Sequence, residues 1–196
     1  MKVASLSGSP RESVGKKDAR ELRKTERIPA VIYGGNEQIH LHLPYVPVEK
    51  LVINPDVFKI ELEVGGKVYP SIMKDIQFHP VTDKIVHIDF LQLVDDKEVT
   101  LAIPVRTAGN SIGVRNGGRL AINFRTLNVR GIPANIPDSV TVDITELEIG
   151  ETVRIRDIRT ENFTILQADS DVVVTVKRTR AAMAAAAAAE DGKKKK

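Results

Sequence analysis

From about residue 27 onward the chain is written in short runs that alternate apolar and polar side chains, broken by glycine, proline and asparagine. A two-residue period puts successive side chains on opposite faces of an extended strand, and many short strands between turn signals fold as barrels or sandwiches. The clearest unit is VFKIELEVGGKVYPSIM (57–73), where two alternating segments flank Gly65-Gly66. Glycine adopts the positive φ that a two-residue hairpin turn demands. RIPAVIYGG (27–35), QIHLHL (38–43) and KIVHIDFLQLV (84–94) supply further strands, and Val3–Leu6 an opening one. Helix is expected only in DARELRKTER (18–27), with Asp18 as its N-cap, and around PVEKLV (47–52).

Aromatic residues make up only 4% of the chain and tryptophan is absent, so the cores must be built from valine, isoleucine and leucine, which favours strands further. After Val94 the charged run DDKE interrupts, and a second series of strands begins at VTLAIPV (99–105). The predicted organisation is mainly β: an N-terminal small β-barrel with short helices over 1–94, a second β-rich domain over 95–178, and a flexible Ala/Lys-rich tail over 179–196. Gly117-Gly118 reads as a hairpin turn, and the alanines after Thr179 as at most transiently helical.

Several kinds of chemistry are excluded by what the chain lacks. Without cysteine there is no thiolate nucleophile, disulfide or Cys-ligated metal. SGSPRESVGKK has Pro10 and Lys17 where a phosphate-binding loop needs glycine and Ser/Thr, and no Gly-x-Ser-x-Gly elbow occurs. His40 and His42 share one strand face, and His87 and Asp89 share another at i, i+2, about 7 Å apart along the strand. The pair would place Ile85 and Leu91 on its own face and Val86, Ile88 and Phe90 opposite. Together the four could form the site of a metal-dependent hydrolase, but no third ligand with recognisable spacing accompanies either pair. The expectation is a non-enzyme without cofactor or small-molecule substrate. No apolar leader or membrane span is recognisable, so a cytoplasmic location is expected.

Charge is distributed unevenly. Residues 1–28 carry eight Lys/Arg against four acids, and 179–196 five against two, around a body with more acids than bases. Arg20, Arg23, Lys24 and Arg27 fall at i, i+3, i+4 and i+7, one face of a helix, adjoining Arg11, Lys16 and Lys17. The stripe leads into Tyr33-Gly34-Gly35, an aromatic ring beside two residues without side chains that would let a partner approach. Cations beside an exposed ring are the elements of RNA recognition.

GKKDARELRKTERIPAVIYGG, the hairpin and QFHPVTDKIVHIDF, in that order, resemble the N-terminal domain of bacterial large-subunit ribosomal protein number twenty-five, a 5S-rRNA-binding family. AGNSIGVRNGGRL and NIPDSVTVDITELEIGETVRIRDI resemble the second domain of its long form, the general stress protein or CTC type. The resemblance implies a six-stranded or similar barrel docked on loop E of 5S rRNA in the large ribosomal subunit, with neighbouring ribosomal proteins met through the second domain. The positions it implies for RNA contact are Arg11, Lys16, Arg20, Arg23, Tyr33, His87 and Asp89. An alternative reading is a stress-related two-domain β adaptor that binds a protein partner.

Overall fold

The computed structural model describes residues 1–35, 37–94, 97–160 and 162–180. The alanine and lysine run from 181, for which transient helix was expected, and Asp95-Asp96 of the junction lie outside the described residues. The chain divides into two compact units, Met1–Leu101 with Gly131–Asp138, and Ala102–Arg130 with the segment from Ser139 onward.

In the first unit, strands β1 (Lys2–Pro10), β2 (Arg27–Tyr33), β3 (Ile39–Pro44), β4 (Phe58–Val64), β5 (Lys67–Phe78) and β6 (Ile85–Gln92) close into a barrel in the order β1-β3-β2-β6-β5-β4. β1 runs parallel to β4, and β2 to β6; the other neighbours are antiparallel. Closure leaves no strand edge unpaired. Alternation fills the interior: Ile60, Leu62 and Val64 of β4 point in while Glu61 and Glu63 point out. Ile32, Leu41, Leu43, Ile88 and Phe90 are wholly enclosed. The β4–β5 connection forms as expected, with φ of 58° at Gly65 and 80° at Gly66, the two positive values of a hairpin turn matched to strand twist.

Two short helices complete this unit, α1 (Lys16–Lys24) and α2 (Tyr45–Ile53). α1 differs from expectation at both ends. Gly15, not Asp18, precedes it, and Asp18 lies in the first turn, where a carboxylate suits the helix dipole. At the other end the Thr25 amide donates to the carbonyls of Glu21 and Leu22, Glu26 turns to φ 56°, and the chain enters β2 at Arg27. Arg27 therefore leaves the helical stripe for the sheet. Pro29, two residues on, could not extend the helix without disrupting its hydrogen bonds.

The second unit is also built of strands, as the alternation predicts. β7 (Val99–Ala108), β8 (Arg119–Ile122), β9 (Thr126–Gly131), β10 (Val140–Asp143), β11 (Thr152–Arg154), β12 (Phe163–Ile165) and β13 (Val172–Lys177) form two sheets, β10-β7-β9-β12 and β11-β13-β8. Leu127, Val129, Val142, Val173, Val174 and Val176 are buried. A single helical turn, α3 (Ile112–Arg115), was not anticipated from GNSIG; Ser111 caps it by accepting from the Val114 amide. Gly117-Gly118 closes that turn rather than joining two strands, with the Gly118 amide donating to the Gly113 carbonyl.

Candidate nucleic-acid interface

α1 buries no residue fully, with Ala19 and Leu22 only half-buried, and arginines add a polar fastening at both ends. At its start, Arg11 at the end of β1 places Nε 2.5 Å from Asp18 Oδ2 and donates from Nη2 to the Gly15 carbonyl at 3.2 Å. The Arg11 side chain is only 8% exposed, turned onto the helix and not outward. Near its end, Arg23 Nε donates to the Val86 carbonyl at 3.0 Å. Lys16, Lys17, Arg20 and Lys24 remain exposed, and no ion pair engages them among the described residues. The helix thus presents uncommitted cations beside β6.

β6 carries an irregularity that explains the arginine. Gln77 of β5 faces His87, but the next residue, Phe78, faces Ile85, so Val86 is an extra residue in β6. Such a bulge leaves a residue outside the ladder, and here its carbonyl is taken by Arg23. The bulge also reverses the facing: Ile85 is buried with Ile88 and Phe90, contrary to the simple alternation that set it beside His87. His87 and Asp89 do share the outer face. His87 Nδ1 lies 2.7 Å from Asp89 Oδ1, yet the ring nitrogen makes no hydrogen bond of acceptable angle, so the contact is one of charge when the imidazole is protonated.

Register supplies two neighbours that the linear sequence did not single out. Asp75 of β5 stands directly across from Asp89, and Gln77 across from His87. The signal in MKDIQF is weak because a second irregularity, between Met73 and Asp75, shifts the pairing by one residue. Tyr33 ends β2 opposite Leu91, one position beyond the Ile32–Phe90 pair. Burial first, then the carboxylates of Asp89 and Asp75, raise its hydroxyl above the ordinary tyrosine value, so it stays protonated and can both donate and accept. Gly34 and Gly35 also serve the fold itself. At φ 94° a Cβ on Gly34 would stand 2.5 Å from Leu91 Cδ1, and one on Gly35 would overlap Gln92, so the glycines let the chain turn tightly against β6. The arrangement is an outward row of acceptors and amphoteric groups, edged by the cations of α1.

Residues 6–90 match the Ribosomal L25p family, and residues 98–180 match the family described as Ribosomal protein TL5, C-terminal domain. A large ribosomal subunit protein bL25 of Porphyromonas gingivalis (strain ATCC 33277) is 42% identical over 184 residues, 93% of this chain and 96% of the relative. Those of Amoebophilus asiaticus and Christiangramia forsetii are each 39% identical over 92% of this chain, covering 92% and 83% of their own lengths. The chain belongs to the bL25 family. Its two matches, in this order, give it the long two-domain form. As a member it is a structural ribosomal protein and not an enzyme.

One histidine of the hydrolase reading is already engaged within the barrel. His42 Nδ1 lies 2.7 Å from Arg27 Nη1, which has only protons to offer, so this nitrogen is an acceptor and cannot also ligate a metal. Burial, and then the charge of Arg27, lower the His42 pKa below the ordinary value, partly offset by Asp18. A neutral folded-state histidine that titrates freely when unfolded makes the unfolded state bind more protons as pH falls below about 6.5. Stability contributed by this site is therefore present at neutral pH and lost on acidification. Thermal unfolding followed from pH 7.5 to pH 5 is expected to show a falling midpoint, and His42→Asn, which keeps an acceptor without a titration, is expected to flatten that slope.

Proposed function

We propose that residues 1–94 form a 5S-rRNA-binding domain that docks on the loop E region and fixes that RNA in the large ribosomal subunit, with 95–178 a second domain directed to neighbouring ribosomal proteins. The reading is supported above all by the juxtaposition of the outward row Tyr33, Asp75, Gln77, His87 and Asp89 with the cationic helix α1. Lys16, Arg20 and Arg23 neutralise backbone phosphates. Asp89 accepts from a 2′-hydroxyl or an exocyclic amine, a role consistent with a carboxylate inside a basic surround. His87 pairs with Asp89 and meets a sugar or base edge, and the Tyr33 ring and hydroxyl address a ribose. Arg11 contributes by holding the start of α1 on Asp18.

Arg20 has no partner to lose among the described residues, so Arg20→Ala removes a phosphate contact without disturbing the barrel. In titrations of the full chain with 5S rRNA at several salt concentrations, the slope of log affinity against log salt is expected to shrink by roughly one. An unchanged slope would remove α1 from the interface.

A further inference from the structure

Beyond the row on β6, the first unit holds a pocket of about 220 Å³ lined by Arg23, Arg27, His79, Lys84, Glu26 and Thr82, over a floor formed by Tyr45, Ile85 and Val86. Three permanent cations stand against the single carboxylate of Glu26. Among the described residues Arg23 is anchored through Nε on the Val86 carbonyl and Arg27 through Nη1 on His42 Nδ1, and a guanidinium has five donors. The β5–β6 connection that carries His79, Thr82 and Lys84 is ordered by its own hydrogen bonds. The His79 amide donates to the Lys84 carbonyl, the Asp83 amide to the His79 carbonyl, and the Val81 and Thr82 amides approach His79 Nδ1 at 3.3 Å. With Nδ1 an acceptor, the neutral ring carries its proton on Nε2, a further donor.

We infer that the RNA footprint continues past Arg23 into this pocket, which takes a backbone phosphate of the same strand on Arg23, Arg27 and Lys84, with its ribose against Ile85 and Val86. The inference rests on the RNA-binding reading above and extends it. Arg23 is the wall common to both regions, since the carbonyl it holds belongs to the residue next to His87. From Asp89 to Lys84 is five residues, about 16 Å along the strand, a distance that a few nucleotides span. A preformed, donor-rich concavity with an apolar floor suits a phosphate-bearing sugar, and needs little ordering on contact.

Two exposed side chains of opposite sign test it in the full chain, with 5S rRNA as the probe. Lys84→Ala is expected to weaken binding by roughly three- to tenfold and to lower the salt slope by about one. Glu26→Gln is expected to tighten binding, by roughly twofold or more, because a carboxylate facing the phosphate is removed. Lys67→Ala, at the β4–β5 hairpin, is the control and should change neither quantity. If Lys84→Ala and Glu26→Gln both leave affinity and slope at the wild-type values while Arg20→Ala alters them, the pocket lies outside the footprint and the inference is overturned. If the wild-type chain fails to prefer 5S rRNA, the underlying reading falls and the inference with it.

Discussion

Asp89→Ala is expected to lower affinity for 5S rRNA by about 1–3 kcal/mol, a factor of roughly 5 to 160, while the salt dependence stays as in the wild type. The result is counter-intuitive on charge alone, since neutralising a carboxylate near a polyanion should help binding. It follows from the position of the group. Asp89 stands on the outer face of β6, directly across from Asp75 and beside His87, so the barrel gains little from it. Like charges opposite one another on adjacent strands are destabilising, and alanine relieves that repulsion. The free protein should therefore melt no earlier, and slightly later, than the wild type. A loss of specific affinity in a protein of equal or greater stability isolates a recognition role, and the unchanged slope separates it from phosphate contact. Anisotropy titrations at several salt concentrations, with an unrelated hairpin alongside, measure both quantities. A uniform rise in affinity for both RNAs would show that the carboxylate merely repels phosphate.

Phe90→Ala is expected to be the most damaging single change to the barrel, at about 3–5 kcal/mol. Phe90 is fully enclosed, pairs across β2 and β5 with Ile32 and Met73, and is among the few aromatic rings in an interior made of branched aliphatic chains. Its removal leaves a cavity that isoleucine and leucine side chains in fixed rotamers cannot fill. The loss is a large part of the 5–15 kcal/mol typical of a whole domain. Tyr33, Tyr45 and Tyr69, all in the first unit, are the chain's three tyrosines, and there is no tryptophan, so tyrosine fluorescence in urea reports the barrel. The transition midpoint should fall with the slope little changed. A shift below about 1 kcal/mol would mean that Phe90 does not anchor the strand. Since the inward side chains of β6 hold its outward ones in place, the same variant is expected to lose RNA affinity near the denaturation midpoint.

Strand content and the barrel's hairpin were legible because they depend on local periodicity and on two glycines, both written in the linear sequence. Non-local features were not. The bulge at Val86 arises from the pairing of β6 with β5, and alternation within KIVHIDFLQL gives no sign of it; simple alternation therefore places Ile85 outward, where the structure buries it. Asp75 and Gln77 join the site through register with Asp89 and His87, which two irregularities displace from simple counting. The helix boundary failed for a different reason. Arg27 continues the basic spacing, but Glu26 adopts a positive φ and Pro29 belongs to a strand, so backbone constraint prevails over side-chain periodicity. The resemblance implies an RNA contact for Arg11, yet its guanidinium is turned onto Asp18, an electrostatic fastening for a helix whose only inward apolar groups, Ala19 and Leu22, are no more than half-buried.

On the reading proposed above, this chain recognises 5S rRNA through its first unit and does not merely attract RNA. The most direct measurement is an equilibrium titration of the full chain with 5S rRNA and with an unrelated hairpin of equal length, at one salt concentration near physiological. The expected result is a preference for 5S rRNA of at least about a hundredfold, and its collapse toward the nonspecific level in the Tyr33→Ala, His87→Ala, Asp89→Ala triple variant. Equal affinity for the two RNAs, or a preference that survives in the triple variant, would contradict the account.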